Sequence, residues 1–354
     1  MNLLSKLRLA MKEKEIDAVL VLDELNQRYL SNFAFTDGYL LITHTNAYLV
    51  TDFRYYEMAE KRANKDFEIV MPDNRMVFLD EKVAELSLRR VGFEGGTVSF
   101  AAYHRYRDRL SSVELVDIGS MIEELRQIKT AEEIVLMQKA QDITDLAFSH
   151  ILSVITPDMT EIDVAVELEY AMRKNGADGL AFDTIAVSGD ASALPHGTPR
   201  NEKLHRGFLT MDFGAKFDGY CSDMTRTIVI GKADDEMKKL YNTVLKAQTE
   251  ALEYLRVGAD LGATDKVARD IIDAEYSGCF GHSLGHSVGL FIHEAPGLSK
   301  LYNGREARVG EIFTVEPGIY VYGKYGCRIE DMVAITKDGV RNFTKSDKKM
   351  MEIY

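Results

Sequence analysis

Residues 208–230, FLTMDFGAKFDGYCSDMTRTIVI, place two aspartates in β-forming runs on either side of a single turn. Lys216-Phe217-Asp218-Gly219 reads as that turn, because Asp and Gly tolerate the backbone angles of a tight reversal. A four-residue turn centred between Phe217 and Asp218 predicts Asp212 directly opposite Asp223. Thr210 and Thr225 would pair next on that face, and Met211 and Met224 on the other. Side chains paired this way sit about 4.5–5.5 Å apart at Cβ, and like charges so close destabilise a sheet unless something positive separates them. A divalent cation would serve. A hairpin with both aspartates in water would need none, so the expectation depends on ligands elsewhere.

Those ligands are crowded between His196 and Glu330. His286 and His293 stand seven apart in GHSVGLFIHEAPG, whose glycines let backbone come close to a bound group. Glu316 ends an apolar run in FTVEPGIYV, where Pro317-Gly318 breaks the ladder, and Glu330 interrupts another in CRIEDMVAI after the turn at 323–326. A carboxylate in such a strand needs a partner, because an unpaired buried charge is strongly unfavourable. Arg328 could supply a simple ion pair to either one. Taken together, Asp212, Asp223, His286, Glu316 and Glu330 carry four negative charges, which two divalent ions cancel. Four carboxylates with one imidazole suit Mn²⁺ or Co²⁺ first, then Zn²⁺ or Fe²⁺. Two ions about 3.5–4 Å apart can hold a hydroxide and polarise a carbonyl, which is equipment for hydrolysis.

Two rival motifs share this region. Gly281-His282-Ser283-Leu284-Gly285 matches the GxSxG elbow of serine hydrolases, whose triad runs Ser, acid, His. The last histidine is His293 and no acid lies between it and Ser283, so that order cannot be completed. His293-Glu294 begins an HExxH pattern that ends on Gly297 instead of histidine. His282 and His286 have helical spacing, but the surrounding glycines argue against a helix.

The texture of the chain changes near residues 119–128, dividing it into a first domain at 1–124 and a second at 125–354. The first alternates helical patterns (2–14 and from Arg54, Arg75 and Phe100) with strands near 18–22, 67–71, 91–94 and 113–116, plus a hairpin of 38–43 with 47–51. Its lone His44 and His104 read as exposed. The second opens with a capping box, Thr130 and Glu133, followed by helices at 161–175, 234–256 and 265–274, with Gly176 and Gly258 as helix stops. The fold class is α/β (α+β).

A net charge of −13 disfavours nucleic acid and anionic membrane and suits cations. Lys6, Arg8, Lys12 and Lys14 interrupt the first apolar run, so neither a signal peptide nor a membrane span is expected there. Cys221, Cys279 and Cys327 form no CxxC pair and read as small buried hydrophobes, consistent with a reducing cytoplasm.

The stretches LPHGTPRNEKL, the 208–230 segment, GHSVGLFIHEAPG, FTVEPGIYV and CRIEDMVAIT resemble, in order, the pita-bread metallopeptidases that act beside proline: Xaa-Pro dipeptidase and aminopeptidase P. NQRYLSNF, GYLLIT and LVTDFRY resemble the family's smaller creatinase-type N-terminal domain. The resemblance implies an exopeptidase cleaving Xaa-Pro bonds in short proline-containing peptides, with two divalent ions as cofactors. It also implies a homodimer in which the first domain closes over a neighbour's active site. Asp212 would hold one ion, Asp223 and Glu330 both, and His286 and Glu316 the second, with Glu316 also taking a proton from water. His293 would bind the substrate carbonyl or oxyanion, His196 would contact substrate near the scissile bond, and Arg328 would support the carboxylates. Ser287 departs from the family's usual glycine and is expected to narrow the approach to the metals. A catalytically silent binding module with the same fold would lack ligands, and none of the five is missing.

Overall fold

Two apolar clusters flank the central sheet of the first of two units described, over residues 2–354, by the computed structural model. That unit ends at Arg126, and the second spans Gln127–Tyr354. Alternation along the strands creates the two clusters. Ala18 and Leu20 of strand Ala18–Val21 join Tyr39 and Leu41 of strand Tyr39–Thr43 on one face. Val19, Val21, Leu40 and Ile42 pack on the other. The sheet has six strands, with helix Leu3–Glu13 supplying Leu4, Leu7 and Met11 to one face and helix Arg75–Glu85 supplying Leu79 and Val83 to the other. His44 is exposed as expected, whereas His104 is half-buried against the Phe100 ring.

The second unit uses two helix pairs, each covering a sheet. Helices Ala131–Val154 and Glu161–Lys174 contribute Ile143, Ala147, Val164 and Leu168 to a core with Leu209, Met211 and Phe213 of strand Gly207–Phe213. Helices Asp235–Tyr254 and Leu261–Tyr276 contribute Leu240, Val244, Ala268 and Ile272 to a core with Phe313, Val315 and Val333. Thr130 and Glu133 complete the expected capping box. Helix Leu261–Tyr276 starts four residues before the expected 265 because the Asp260 carboxylate accepts from Ala263 N. Helix Asp235–Tyr254 stops short of 256, so Gly258 lies beyond its end, while Gly176 follows Asn175 with positive φ as a stop should.

The hairpin register differs from expectation. Strand Gly207–Phe213 pairs with strand Met224–Ile230 so that Asp212 faces Thr225, Thr210 faces Thr227, and Met224 faces Phe213. The reversal is the two-residue pair Asp218-Gly219, with φ of 43° and 76°, flanked by Phe217 opposite Tyr220. Both residues need left-handed backbone, the signature of a tight hairpin whose twist matches its strands. Centring the turn one residue later shifts every partner by two. Since side chains alternate with period two, Asp212 and Asp223 stay on one face as diagonal neighbours.

Candidate metal centre

The face of the hairpin turned away from its covering helices carries Thr210, Asp212, Asp223, Thr225 and Thr227, all but Asp212 fully buried. Across from it, strand Gly285–Ser287 brings up His286 and strand Ile312–Val315 ends at Glu316. Glu330 lies between strands Tyr325–Arg328 and Asp331–Thr336. Backbone bonds fix these segments, with Glu316 N donating to Leu284 O (2.8 Å) and Glu330 N to Thr225 O (3.2 Å).

The side chains converge. Asp223, His286 and Glu330 each present a ligand atom within 4.8 Å of the others. His286 Nε2 lies 3.4 Å from Asp223 Oδ2 and 3.3 Å from Glu316 Oε1. His286 Nδ1 is 3.1 Å from Ser287 O, so it donates there and leaves the Nε2 lone pair aimed at the carboxylates. Thr314 Oγ1 accepts from His286 N (3.0 Å) and donates to Glu316 (3.0 Å), aligning both. Thr225 Oγ1 donates to Glu330 Oε2 at 2.7 Å. Buried Arg328 donates to Asp212 Oδ2 (2.6 Å), Thr225 Oγ1 (3.0 Å) and Tyr320 Oη (2.7 Å).

The electrostatics of this cluster call for a cation. Burial pushes the Glu316 carboxyl up to about 8, against the pull of Arg328 and helped by the charge on Asp212. Burial, then the charges of Glu330, Asp212 and Glu316, drive Asp223 well above the carboxylate range, and Glu330 rises likewise. Burial holds His286 down at about 4, so it is a neutral donor. Asp212 Oδ1 and Glu330 Oε1 are buried with no hydrogen-bond partner. Buried orphan oxygens are unfavourable in a protein interior, and a divalent ion satisfies them. The residues present therefore fit a divalent metal site rich in oxygen donors.

A cavity of about 350 Å³ opens over the cluster, lined by Asp212, Asp223, His286, Glu316 and Glu330 as well as His196, His293 and Arg328. All eight site residues expected from the sequence are thus brought to one place. The His293 ring stands 4.4 Å from that of His286, with burial lowering its pKa. Ser287 does not narrow the approach as expected. It follows His286 on a strand, so it faces the other way, is buried, and donates to Ile312 O (2.8 Å). The elbow reading fails structurally as well, since 281–284 is irregular and leads into strand Gly285–Ser287, not from a strand into a helix as that reading requires.

Sequence reasoning put Thr225 on this face without giving it a role, and missed Thr314 and Tyr320. The two threonines each lie two residues from a ligand candidate on the same strand face, a signal that period two could have given. Phe182, Ile185 and Ile292, which form apolar wall, carry no such signal.

The model of metallopeptidase family M24 matches residues 135–337, and that of the Creatinase/Prolidase N-terminal domain matches residues 4–128. A curated Xaa-Pro dipeptidase of Pyrococcus furiosus is 37% identical over 352 residues, covering 98% of this chain and 99% of that protein. Among solved structures, an Xaa-Pro dipeptidase from Bacillus anthracis superposes with a TM-score of 0.95 at 41% identity, covering 99% of both chains. An X-Pro aminopeptidase from Thermotoga maritima gives 0.91 at 34%, covering 97% of this chain and 99% of that one.

Proposed function

Because the chain belongs to metallopeptidase family M24 and carries the Creatinase/Prolidase N-terminal domain, we infer that its cavity is the active site of an exopeptidase for Xaa-Pro bonds. The protein is a metal-dependent Xaa-Pro peptidase, acting on short peptides or dipeptides. The observation that carries this reading is the convergence of Asp223, His286 and Glu330 within 4.8 Å, beside orphaned buried oxygens of Asp212 and Glu330.

Asp212, Asp223, His286, Glu316 and Glu330 would hold two divalent ions, Mn²⁺ or Co²⁺ before Zn²⁺ or Fe²⁺ by the hardness of the donor set. When bound, such ions would polarise a carbonyl and lower the pKa of water toward neutrality. The chain's own groups do the rest. Arg328 occupies one oxygen of Asp212 and so orients the other toward the cavity. Glu316 takes the proton that attacking water gives up. His293 donates to the oxyanion, a contribution that is often the largest in acyl transfer. His196, exposed at the cavity wall, contacts substrate near the scissile bond. An Xaa-Pro bond has no amide N–H, so the pyrrolidine ring must be recognised by shape. Phe182, Ile185, Pro195 and Ile292 offer it an apolar wall.

The first unit contributes nothing to the cavity lining, which supports a division into a creatinase-like domain at 1–124 and a catalytic domain at 125–354. That segregation also favours a homodimer. A cytoplasmic setting is favoured by three free cysteines. No helix among the described residues is long and apolar enough to cross a membrane. Dialysis against chelator is expected to abolish cleavage of an Xaa-Pro peptide, and Mn²⁺ or Co²⁺ to restore it. Full turnover by metal-free protein would contradict the reading.

A further inference from the structure

The Lys129 side chain is 1% exposed, and its ammonium lies 3.1 Å from Glu294 Oε2 and 3.4 Å from Ser287 Oγ. These two residues immediately follow His293 and His286. Ser287 and Glu294 are partners across strands Gly285–Ser287 and Glu294–Leu298, at the point where the register shifts. The intervening loop bends tightly round the Glu294 carboxylate. Glu294 Oε1 accepts from Phe291 N at 3.2 Å, and a Cβ on Gly289 would lie 2.5 Å from the same carboxylate. Gly289 O in turn accepts from Cys221 N (2.8 Å), tying the loop to the hairpin two residues before Asp223. Lys129 is itself anchored, its N–H donating to Gly310 O (2.9 Å), one residue before the cap of helix Ala131–Val154. His293 projects from the exposed side of this bend, so the backbone beneath it sets where its imidazole stands.

We propose that Lys129 is a positioning residue for His293: its buried ammonium, held by Glu294 and Ser287, locks the 288–293 loop so that the His293 ring stays against His286. The proposal rests on the reading of His293 as the oxyanion donor. Serine at 287 gives the ammonium a hydroxyl acceptor there, which glycine would not supply. A misplacement of about 1 Å at such a group is enough to cost on the order of 100-fold in rate.

The test compares Lys129→Met, Lys129→Arg and the double variant Lys129→Met/Glu294→Met in the metal-loaded full chain. With Mn²⁺ and an Xaa-Pro peptide, Lys129→Met is expected to lower kcat at least tenfold, with KM within twofold and bound metal unchanged. Lys129→Arg is expected to recover most of the loss. The double variant removes the buried acid together with the buried base, so it is expected to fold as stably as the parent even where Lys129→Met does not. Its kcat is nevertheless expected to stay low. A second readout needs no turnover: histidine ring NMR of the Zn²⁺-loaded chain, with His293 assigned by His293→Gln. Lys129→Met should shift or broaden the His293 signal and leave His44 in place. The proposal is overturned by an unmoved His293 resonance, or by a double variant with parental kcat. Absence of Xaa-Pro turnover in the parent would instead sink the functional reading, with the resonance still deciding this one.

Discussion

Glu316, proposed above as the base, has its carboxyl pushed up to about 8 by burial at the edge of a strand that ends against His286. Replacing it by glutamine keeps the shape and removes the proton acceptor. Glu316→Gln should lower kcat about 10²–10⁴-fold, the usual contribution of a general base. Steady-state kinetics on an Xaa-Pro peptide checks this, and a loss under threefold would contradict the role. The same carboxyls predict how metal-free protein responds to pH. Between about 6.5 and about 8, Glu316 retains a proton in the folded chain that the unfolded chain, with an ordinary value of 4.5, has released. The folded state then binds more protons, so stability falls as pH rises. His286 and His282, held down at about 4, act in the opposite sense, chiefly at and below about 6.5, where unfolded imidazoles are half charged or more. The Tm of chelated protein is therefore expected to fall from about pH 7 to about 8, where Glu316 outweighs the imidazoles, and the slope to vanish with Mn²⁺. A flat or rising Tm in chelator would refute the assignment.

At the scale of elements, the site depends on strands approaching more closely than most side chains allow. A Cβ on Gly285 would lie 2.0 Å from Thr314 O, so Gly285→Ala must push strand Gly285–Ser287 away from Ile312–Val315. That separation breaks the bond from His286 N to Thr314 Oγ1, which also aligns Glu316. Metal affinity measured by calorimetry should drop at least tenfold, and unchanged affinity would show that the strands can adjust. The hairpin shows how far local reading reaches. Period-two alternation correctly placed Asp212 and Asp223 on one face, but the turn was centred one residue early. Asp218 tolerates left-handed backbone nearly as well as the glycine beside it, and only the pairing of Phe217 with Tyr220 shows that both adopt it. The helix start at Thr130 was legible through its capping box, whereas the matching cap at Thr160 emerged only in the structure. The early start at Asp260 was obscured by Gly262, which approaches Asn303 closely and reads locally as a break.

At the scale of the molecule, the residues that line the cavity all belong to the second unit. Sedimentation at micromolar concentration is expected to show a dimer, and a monomer alone would remove the idea that the first unit serves a neighbour's site. The types of the candidate ligands, their order along the chain and the strand faces they occupy were determined by the sequence alone. A carboxylate inside an apolar strand announces an unmet need for charge, and alternation fixes the side on which it stands. The tertiary structure alone decided which groups meet those needs: Arg328 with Asp212, 116 residues apart, Thr225 with Glu330, 105 apart, and Lys129 with Glu294, 165 apart. Such pairings follow from the way segments distant in sequence pack together within the second unit. No local propensity encodes that packing, because its energy comes from burial shared across the whole unit.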